Sequence, residues 1–65
     1  MKNRIRELRR IRGLTQADLA GAIDVSRQTI ISIEADRYDP SLQIALRLSN
    51  FFSLPVEDIF KIGDF

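Results

Sequence analysis

The sequence predicts a small all-α domain made of five short helices, and three observations support this. Apolar residues recur at intervals of three and four through most of the chain, as in helices that are buried on one side. Ser, Thr and Pro before these segments, and Gly or Asp after them, are typical helix boundaries. The chain has 65 residues and neither cysteine nor histidine, so helix packing has to stabilise it without a disulfide or the usual zinc site. We expect one compact domain over residues 1–65.

The first predicted helix is basic and runs from Lys2 to Arg12. Ile5 and Leu8 form its apolar stripe, and Ile11 lies somewhat off that axis. Gly13 ends the helix, because glycine readily takes the backbone conformation found just past a helix C-terminus. Six basic residues surround the stripe: Lys2, Arg4, Arg6, Arg9, Arg10 and Arg12.

The second predicted helix begins near Gln16. Thr15 and Asp18 have the spacing of a capping box, in which two side chains satisfy free amides at the start of a helix. Asp24 ends the helix, since Asp tolerates the left-handed backbone conformation. The apolar residues Leu19, Ala20 and Ile23 share one face, and Ala20 is small enough for another helix to cross closely.

The third predicted helix is capped by Ser26 and covers residues 27–35. On a 3.6-residue period, Ile30, Ile33 and Glu34 face inward. The outward face carries Arg27, Gln28, Ile31, Ser32 and Ala35. Its Arg, Gln and Ser side chains are suited to hydrogen bonds with base edges in a major groove, and an exposed Ile can contact a thymine methyl group.

The fourth predicted helix follows Pro40 and is capped by Ser41. Its apolar residues cover more than one face, which indicates a central position: Leu42, Ala45, Leu46, Leu48, Phe51 and Phe52. Pro55 opens the fifth helix as its first residue. Val56, Ile59 and Phe60 direct that helix at the core, and residues 61–65 form a short tail.

The second and third helices, with the tight turn between them, have the pattern of a helix-turn-helix. The sequence resembles the lambda-repressor-like helix-turn-helix proteins of the Xre class over nearly its whole length. Gln16, Leu19-Ala20, Val25-Ser26, Ile30, Ile33-Glu34 and Pro40 carry the resemblance. It departs from the family at Ala35-Asp36, where Asn-Gly is usual. Asp36 can adopt the left-handed cap, but an acid there weakens any phosphate contact from this loop.

The resemblance implies a sequence-specific, repressor-like transcription regulator that binds double-stranded DNA as a homodimer on a two-fold operator. The expected base contacts are Arg27, Gln28, Ile31 and Ser32. The expected phosphate contacts, or residues that support them, are Gln16, Thr29, Arg37, Arg9 and Tyr38. The resemblance also implies an ion pair between Arg9 and Glu34, whose inward carboxylate would be costly without a partner. For most of these positions the alternative is an ordinary solvent-exposed polar residue. For Thr29 it is closure of the first turn of the third helix, for Tyr38 a ring lying on the core, and for Glu34 a side chain that bends out to water.

Charge distribution agrees with a polyanionic partner. Residues 1–33 carry seven basic and three acidic side chains, a net charge of +4, whereas residues 34–65 carry three basic and six acidic ones, a net charge of −3. A different function remains open: a protein-interaction module, such as an antitoxin, that uses the acidic, aromatic C-terminal half. No nucleophile, phosphate loop or metal-ligand set points to an enzyme, a cofactor or a small-molecule substrate.

Two further expectations concern location and assembly. No apolar run approaches the length of a membrane span or a signal peptide, so we expect a cytoplasmic protein. Aromatic residues in the C-terminal part exceed what a small core is expected to absorb. The predicted homodimer surface is therefore Phe51, Phe52, Ile59, Ile62 and Phe65, with inward-folded rings as the alternative.

Overall fold

The computed structural model describes residues 1–37 and 39–62, and in this part of the chain it contains five helices and one pair of very short strands. The predicted five-helix fold is confirmed. In chain order the elements are β1 Lys2–Asn3, α1 Ile5–Ile11, α2 Gln16–Ala22, α3 Arg27–Glu34, α4 Leu42–Phe52, α5 Val56–Ile59 and β2 Phe60–Lys61.

The start of the chain differs from the prediction, because Lys2 and Asn3 are extended instead of helical. They pair antiparallel with β2, with Lys2 opposite Lys61 and Asn3 opposite Phe60. The Asn3 side chain accepts a hydrogen bond from the Ile5 amide at 3.1 Å, which satisfies one of the free amides at the start of α1. The pairing partner lies at the other end of the chain, so local periodicity did not reveal it.

The predicted helix caps are present. Thr15 and Asp18 form the full capping box at α2, and the side chains of Ser26 and Ser41 accept amide hydrogen bonds at the starts of α3 and α4. Left-handed backbone is found where the sequence predicts it, at Asp24 (φ 59°) and Asp36 (φ 57°). Asp24 lies in the turn between α2 and α3, and Asp36 lies just after the end of α3.

The core takes side chains from every helix. Its fully buried members are Ile5, Leu19, Ile30, Ile33, Leu48 and Ile59, and Ala20, Ile23, Ala45, Phe52 and Phe60 complete it. The inward face predicted for α3 is confirmed, since Ile30, Ile33 and Glu34 are buried. This packing against α2 holds α3 so that the opposite face of α3 points away from the core. None of the helices in residues 1–37 and 39–62 is long and apolar enough to cross a membrane.

The predicted dimer surface is wrong at two positions. Phe52 is 4% exposed and Ile59 is fully buried, so both belong to the core of a single chain and are not available to a second copy. The core absorbs more aromatic area than expected because the Phe52 and Phe60 rings both fold inward and Phe51 packs edge-on against Phe52 at 5.1 Å. Ile62 is exposed, and Phe65 lies outside the described residues.

The fifth helix is shorter than expected. Pro55 is its N-cap and not its first residue, and α5 ends at Ile59 because Phe60 enters β2. The helix therefore consists of four residues whose main contribution is the buried Ile59 side chain.

Candidate nucleic-acid interface

The exposed face of α3 begins with two long polar side chains. Arg27 and Gln28 are exposed in its first turn, and neither side chain forms a hydrogen bond within the described part of the chain. Ser32 lies one turn further on and is half-buried. Ile31 is also half-buried, so it is less exposed than the sequence suggested. The side chains of the first turn thus carry the hydrogen-bonding groups that are free and exposed, whereas Ile31 and Ser32 are partly covered by neighbouring residues.

Thr29 closes the first turn of α3. Its hydroxyl lies 2.8 Å from the Ser26 hydroxyl, and its amide donates to the Ser26 side chain at 3.1 Å. The structure therefore shows the local capping role that was the alternative to a phosphate contact. A hydroxyl group can donate one hydrogen bond and accept others. The single bond between the Ser26 and Thr29 hydroxyls therefore leaves the Thr29 hydroxyl able to form a further hydrogen bond.

The buried carboxylate of Glu34 joins three elements. Arg9 in α1 grips it with two hydrogen bonds, from Nε to Oε2 at 2.8 Å and from Nη2 to Oε1 at 3.1 Å. The Glu34 side chain is 0% exposed and the Arg9 side chain 11% exposed. This fork geometry is the strong form of an Arg–carboxylate pair. The ion pair that the resemblance implied is present.

The surroundings of Glu34 act on its pKa in opposite directions. Burial raises the pKa, because it disfavours the charged carboxylate. Hydrogen bonds from Arg9 and Gln16, the positive charge of Arg9 and a weaker bond from Arg6 lower it, and the net result is a pKa below the ordinary value for Glu. The same hydrogen bonding to Glu34 raises the pKa of Arg9. Both side chains are therefore charged in the folded protein at neutral pH.

Arg9 is turned inward, away from the direct phosphate contact that was considered from the sequence. Its third nitrogen, Nη1, donates to the Leu14 carbonyl at 2.9 Å. Because the guanidinium is buried and each of its three nitrogens donates within the protein, the geometry favours the supporting role, in which Arg9 fixes α1 against α3 and the start of α2.

Gln16 is the first residue of α2, and its side chain points at the same carboxylate. Gln16 Nε2 lies 3.3 Å from Glu34 Oε1, and Arg6 Nε lies 3.4 Å from that oxygen.

The Arg6 side chain is 57% exposed. Sequence reasoning placed Arg6 only among the surrounding basic residues of α1. The signal that was available is its position three residues before Arg9, on the same side of the helix.

The loop after α3 is fixed by Asn3. Asn3 Nδ2 donates to the Ile33 carbonyl at 2.8 Å and to Asp36 Oδ1 at 2.9 Å. The acidic side chain that departs from the Asn-Gly pattern is therefore drawn toward Asn3. Arg37 is exposed, and its amide donates to the Ser32 carbonyl at 3.0 Å. Tyr38 lies outside the described residues.

A helix-turn-helix family model matches residues 5–59, which spans all five helices. The chain belongs to the helix-turn-helix family. The resemblance drawn from its sequence is confirmed, and α2, the turn around Asp24 and α3 form the motif.

Similar proteins agree with this membership. The helix-turn-helix chain is 52% identical over 64 residues to an HTH-type transcriptional regulator of Methanocaldococcus jannaschii, covering 98% of this chain and 97% of that protein. It is 48% identical over 65 residues to an HTH-type transcriptional regulator of Methanothermobacter thermautotrophicus, with 98% and 94% covered. The crystal structure of the restriction-modification controller protein C.AhdI from Aeromonas hydrophila matches with a TM-score of 0.79 and 30% identity, over 88% of this chain and 86% of that one.

Proposed function

We propose that this protein is a sequence-specific DNA-binding regulator of transcription that places α3 in the major groove. The observation that carries the proposal is the first turn of α3, where Arg27 and Gln28 project from a helix-turn-helix with no partner in the described residues. Arg pairs bidentately with guanine and Gln with adenine, so these two side chains supply direct readout. Ser32 and Ile31 contribute further along the groove, where they lie closer to the helix surface.

Phosphate contacts on either side of α3 would orient it. Gln16 at the start of α2 and Arg37 after α3 lie at the two edges of the motif, and Thr29 keeps hydrogen-bonding capacity beside the first turn. The net charge of +4 in residues 1–33 favours approach to the duplex.

The protein works as a homodimer on a two-fold operator. A single module of this size contacts one half-site and buries too little surface for tight, selective binding. Two copies related by a dyad would contact half-sites about 34 Å apart, one helical turn of DNA. The protein acts in the cytoplasm, where it can bind the DNA duplex.

The comparisons support this reading over an antitoxin-type interaction module. The similar proteins from Methanocaldococcus jannaschii and Methanothermobacter thermautotrophicus are named transcriptional regulators. Arg27 and Gln28 also form no hydrogen bond within the described part of the domain, and a partner that contacted only the C-terminal half would leave both side chains without a role.

The test is to select duplexes from a random pool with purified protein and then to titrate variants on the selected site. Gln28→Ala should weaken binding to that site by about 1 to 3 kcal/mol and leave binding to random DNA little changed, because only base readout is lost. Gln43→Ala is the matched control, since Gln43 is also an exposed helical glutamine but lies on α4. Equal losses on selected and random duplexes would show that Gln28 does not read bases, and a pool with no enriched sequence would contradict sequence-specific binding.

A further inference from the structure

One oxygen of Glu34 receives more hydrogen bonds than it needs. Oε1 faces Arg9 Nη2 at 3.1 Å, Gln16 Nε2 at 3.3 Å and Arg6 Nε at 3.4 Å, while Oε2 faces Arg9 Nε at 2.8 Å. A carboxylate oxygen offers about two acceptor sites. The two longest contacts, from Gln16 and Arg6, lie beyond the usual N–H to O distance and are the weak ones.

Arg6 is the donor that can leave this carboxylate at little cost. Its side chain is 57% exposed, and its Nη1 and Nη2 form no hydrogen bond in the described part of the chain. Glu34 stays paired when Arg6 moves, because the fork from Arg9 uses both carboxylate oxygens. The Arg6 contact therefore orients an exposed guanidinium without contributing much to folding.

Arg6 and Gln16 converge although they come from different helices. Arg6 Nε and Gln16 Nε2 lie 3.4 and 3.3 Å from the same oxygen atom, which brings the two donor groups into one neighbourhood beside the start of α2. Arg6 also lines an open groove together with Asn3, Arg4, Glu7, Arg10 and Glu34. Gln16 does not line this groove, and the contact that Arg6 and Gln16 share is the one to Glu34 Oε1.

We propose that Arg6 binds a DNA backbone phosphate jointly with Gln16, and that this phosphate replaces Glu34 Oε1 as the acceptor for both side chains. The inference rests on the proposed DNA-binding function and adds a residue to it. A guanidinium presents parallel N–H donors that match two phosphate oxygens, which makes Arg better suited to this contact than the point charge of a lysine. The two contacts to Glu34 are weak, so both donors can transfer to a phosphate while the Arg9–Glu34 pair stays intact.

The test compares Arg6→Gln with Arg4→Gln on a duplex of random sequence, over a series of salt concentrations. The two changes remove the same charge from the same end of the chain, but Arg4 already donates to Glu7 and to the Asp58 carbonyl. Arg6→Gln should make the slope of log affinity against log salt shallower by about 0.9, the value for one lost phosphate contact, and Arg4→Gln should leave it unchanged. Arg6→Lys should keep the slope but bind more weakly than the wild type.

Two further measurements separate this contact from a structural effect. Thermal melting of Arg6→Gln should match the wild type, and the loss of affinity in Arg6→Gln with Gln16→Ala should be smaller than the sum of the single losses, because both residues share one phosphate. If the wild-type protein binds DNA but the slope is unchanged in Arg6→Gln, or if Arg4→Gln changes the slope equally, the inference about Arg6 is overturned and the proposed function is not. A wild-type protein that binds no duplex at any salt concentration would instead overturn the proposed function.

Discussion

Glu34 shows how one buried charge organises the residues around it. An ionised carboxylate is expensive to remove from water unless hydrogen bonds and an opposite charge replace the lost hydration. Arg9 supplies both, and it also holds the Leu14 carbonyl just before α2. The pair therefore ties α1, the start of α2 and the end of α3 together, and the energetic consequences depend on whether both partners are present.

Removing either partner should cost more than removing both. We expect Glu34→Ala and Arg9→Ala each to destabilise the fold by about 3 kcal/mol, because each change leaves a buried charge unpaired. The double variant should recover part of that loss. Chemical denaturation of the four proteins measures the coupling, with Arg4→Ala as a control for an exposed arginine. Free energies of unfolding that add strictly would contradict a coupled pair.

Stability should also depend on pH through Glu34. Its pKa is lower in the folded protein than in the unfolded chain, where a Glu titrates at about 4.3. The stabilisation is therefore fully present above that unfolded value and is lost as the pH falls through the folded pKa. Glu34→Gln should make the acid side of the stability curve shallower. It should not flatten that side, because hydrogen bonds from Thr15 also lower the pKa of Asp18. An acid limb identical to that of the wild type would exclude Glu34 as a contributor.

At the scale of elements, the C-terminus of α4 is held by a residue from another helix. Arg12 Nη1 and Nη2 donate to the carbonyls of Phe51 and Phe52 at 2.9 and 3.1 Å. The guanidinium carbon also lies 5.3 and 5.0 Å from the centres of those two rings. The last carbonyls of a helix lack partners within the helix and carry partial negative charge, so a cation there is doubly favourable. Arg12 joins the end of α1 to the end of α4.

Substitution of Arg12 should therefore act on stability and not on DNA binding. We expect Arg12→Ala to cost about 1 to 2 kcal/mol, from two charge-assisted hydrogen bonds and a partly exposed cation–π contact. Arg12→Lys should lose most of the same energy, because an ammonium group does not match two carbonyls in a fork. Arg10→Ala is the control, as an exposed arginine of the same helix. The measurement is the melting temperature of each variant. Equal decreases for Arg10→Ala and Arg12→Ala would contradict a specific interaction of Arg12 with the end of α4.

At the scale of the whole molecule, the surface that remains for a second copy differs from the one that composition suggested. Phe52 and Ile59 are in the core, and Phe51 is half-buried beneath Arg12. The apolar side chains left exposed on α4 are Leu42, at 74%, and Leu46, at 50%. They are four residues apart and so share one face of the helix. We propose that this face packs against its own copy about a dyad.

The proposed face can be tested by measuring the mass of the free protein. Leu42→Ser with Leu46→Ser should shift sedimentation at micromolar concentration from dimer to monomer, because the exchange removes the apolar area that a dimer would bury. Ile11→Ser is the control: Ile11 is 73% exposed but lies on α1. A wild-type monomer would contradict self-association, and a dimer that persists in the double variant would place the interface elsewhere.

The sequence determined the features that depend on near neighbours along the chain. The caps at Thr15, Ser26 and Ser41, the left-handed turn at Asp24 and the inward face of α3 all follow from side chains within about one helical turn of each other. These local signals suffice to predict five helices and a helix-turn-helix, because each helix boundary is chosen by hydrogen bonds between residues a few positions apart.

Only the tertiary structure decided which distant groups meet. The strand pairing of Lys2–Asn3 with Phe60–Lys61, the burial of Phe52 and Ile59, the grip of Arg12 on α4 and the orientation of Arg6 toward Glu34 all join residues far apart in the chain. An arginine on a basic helix has the same local pattern whether it faces water, a helix end or a buried carboxylate. Its role depends on the interaction that it forms with its partner, and that partner comes near only when the helices pack.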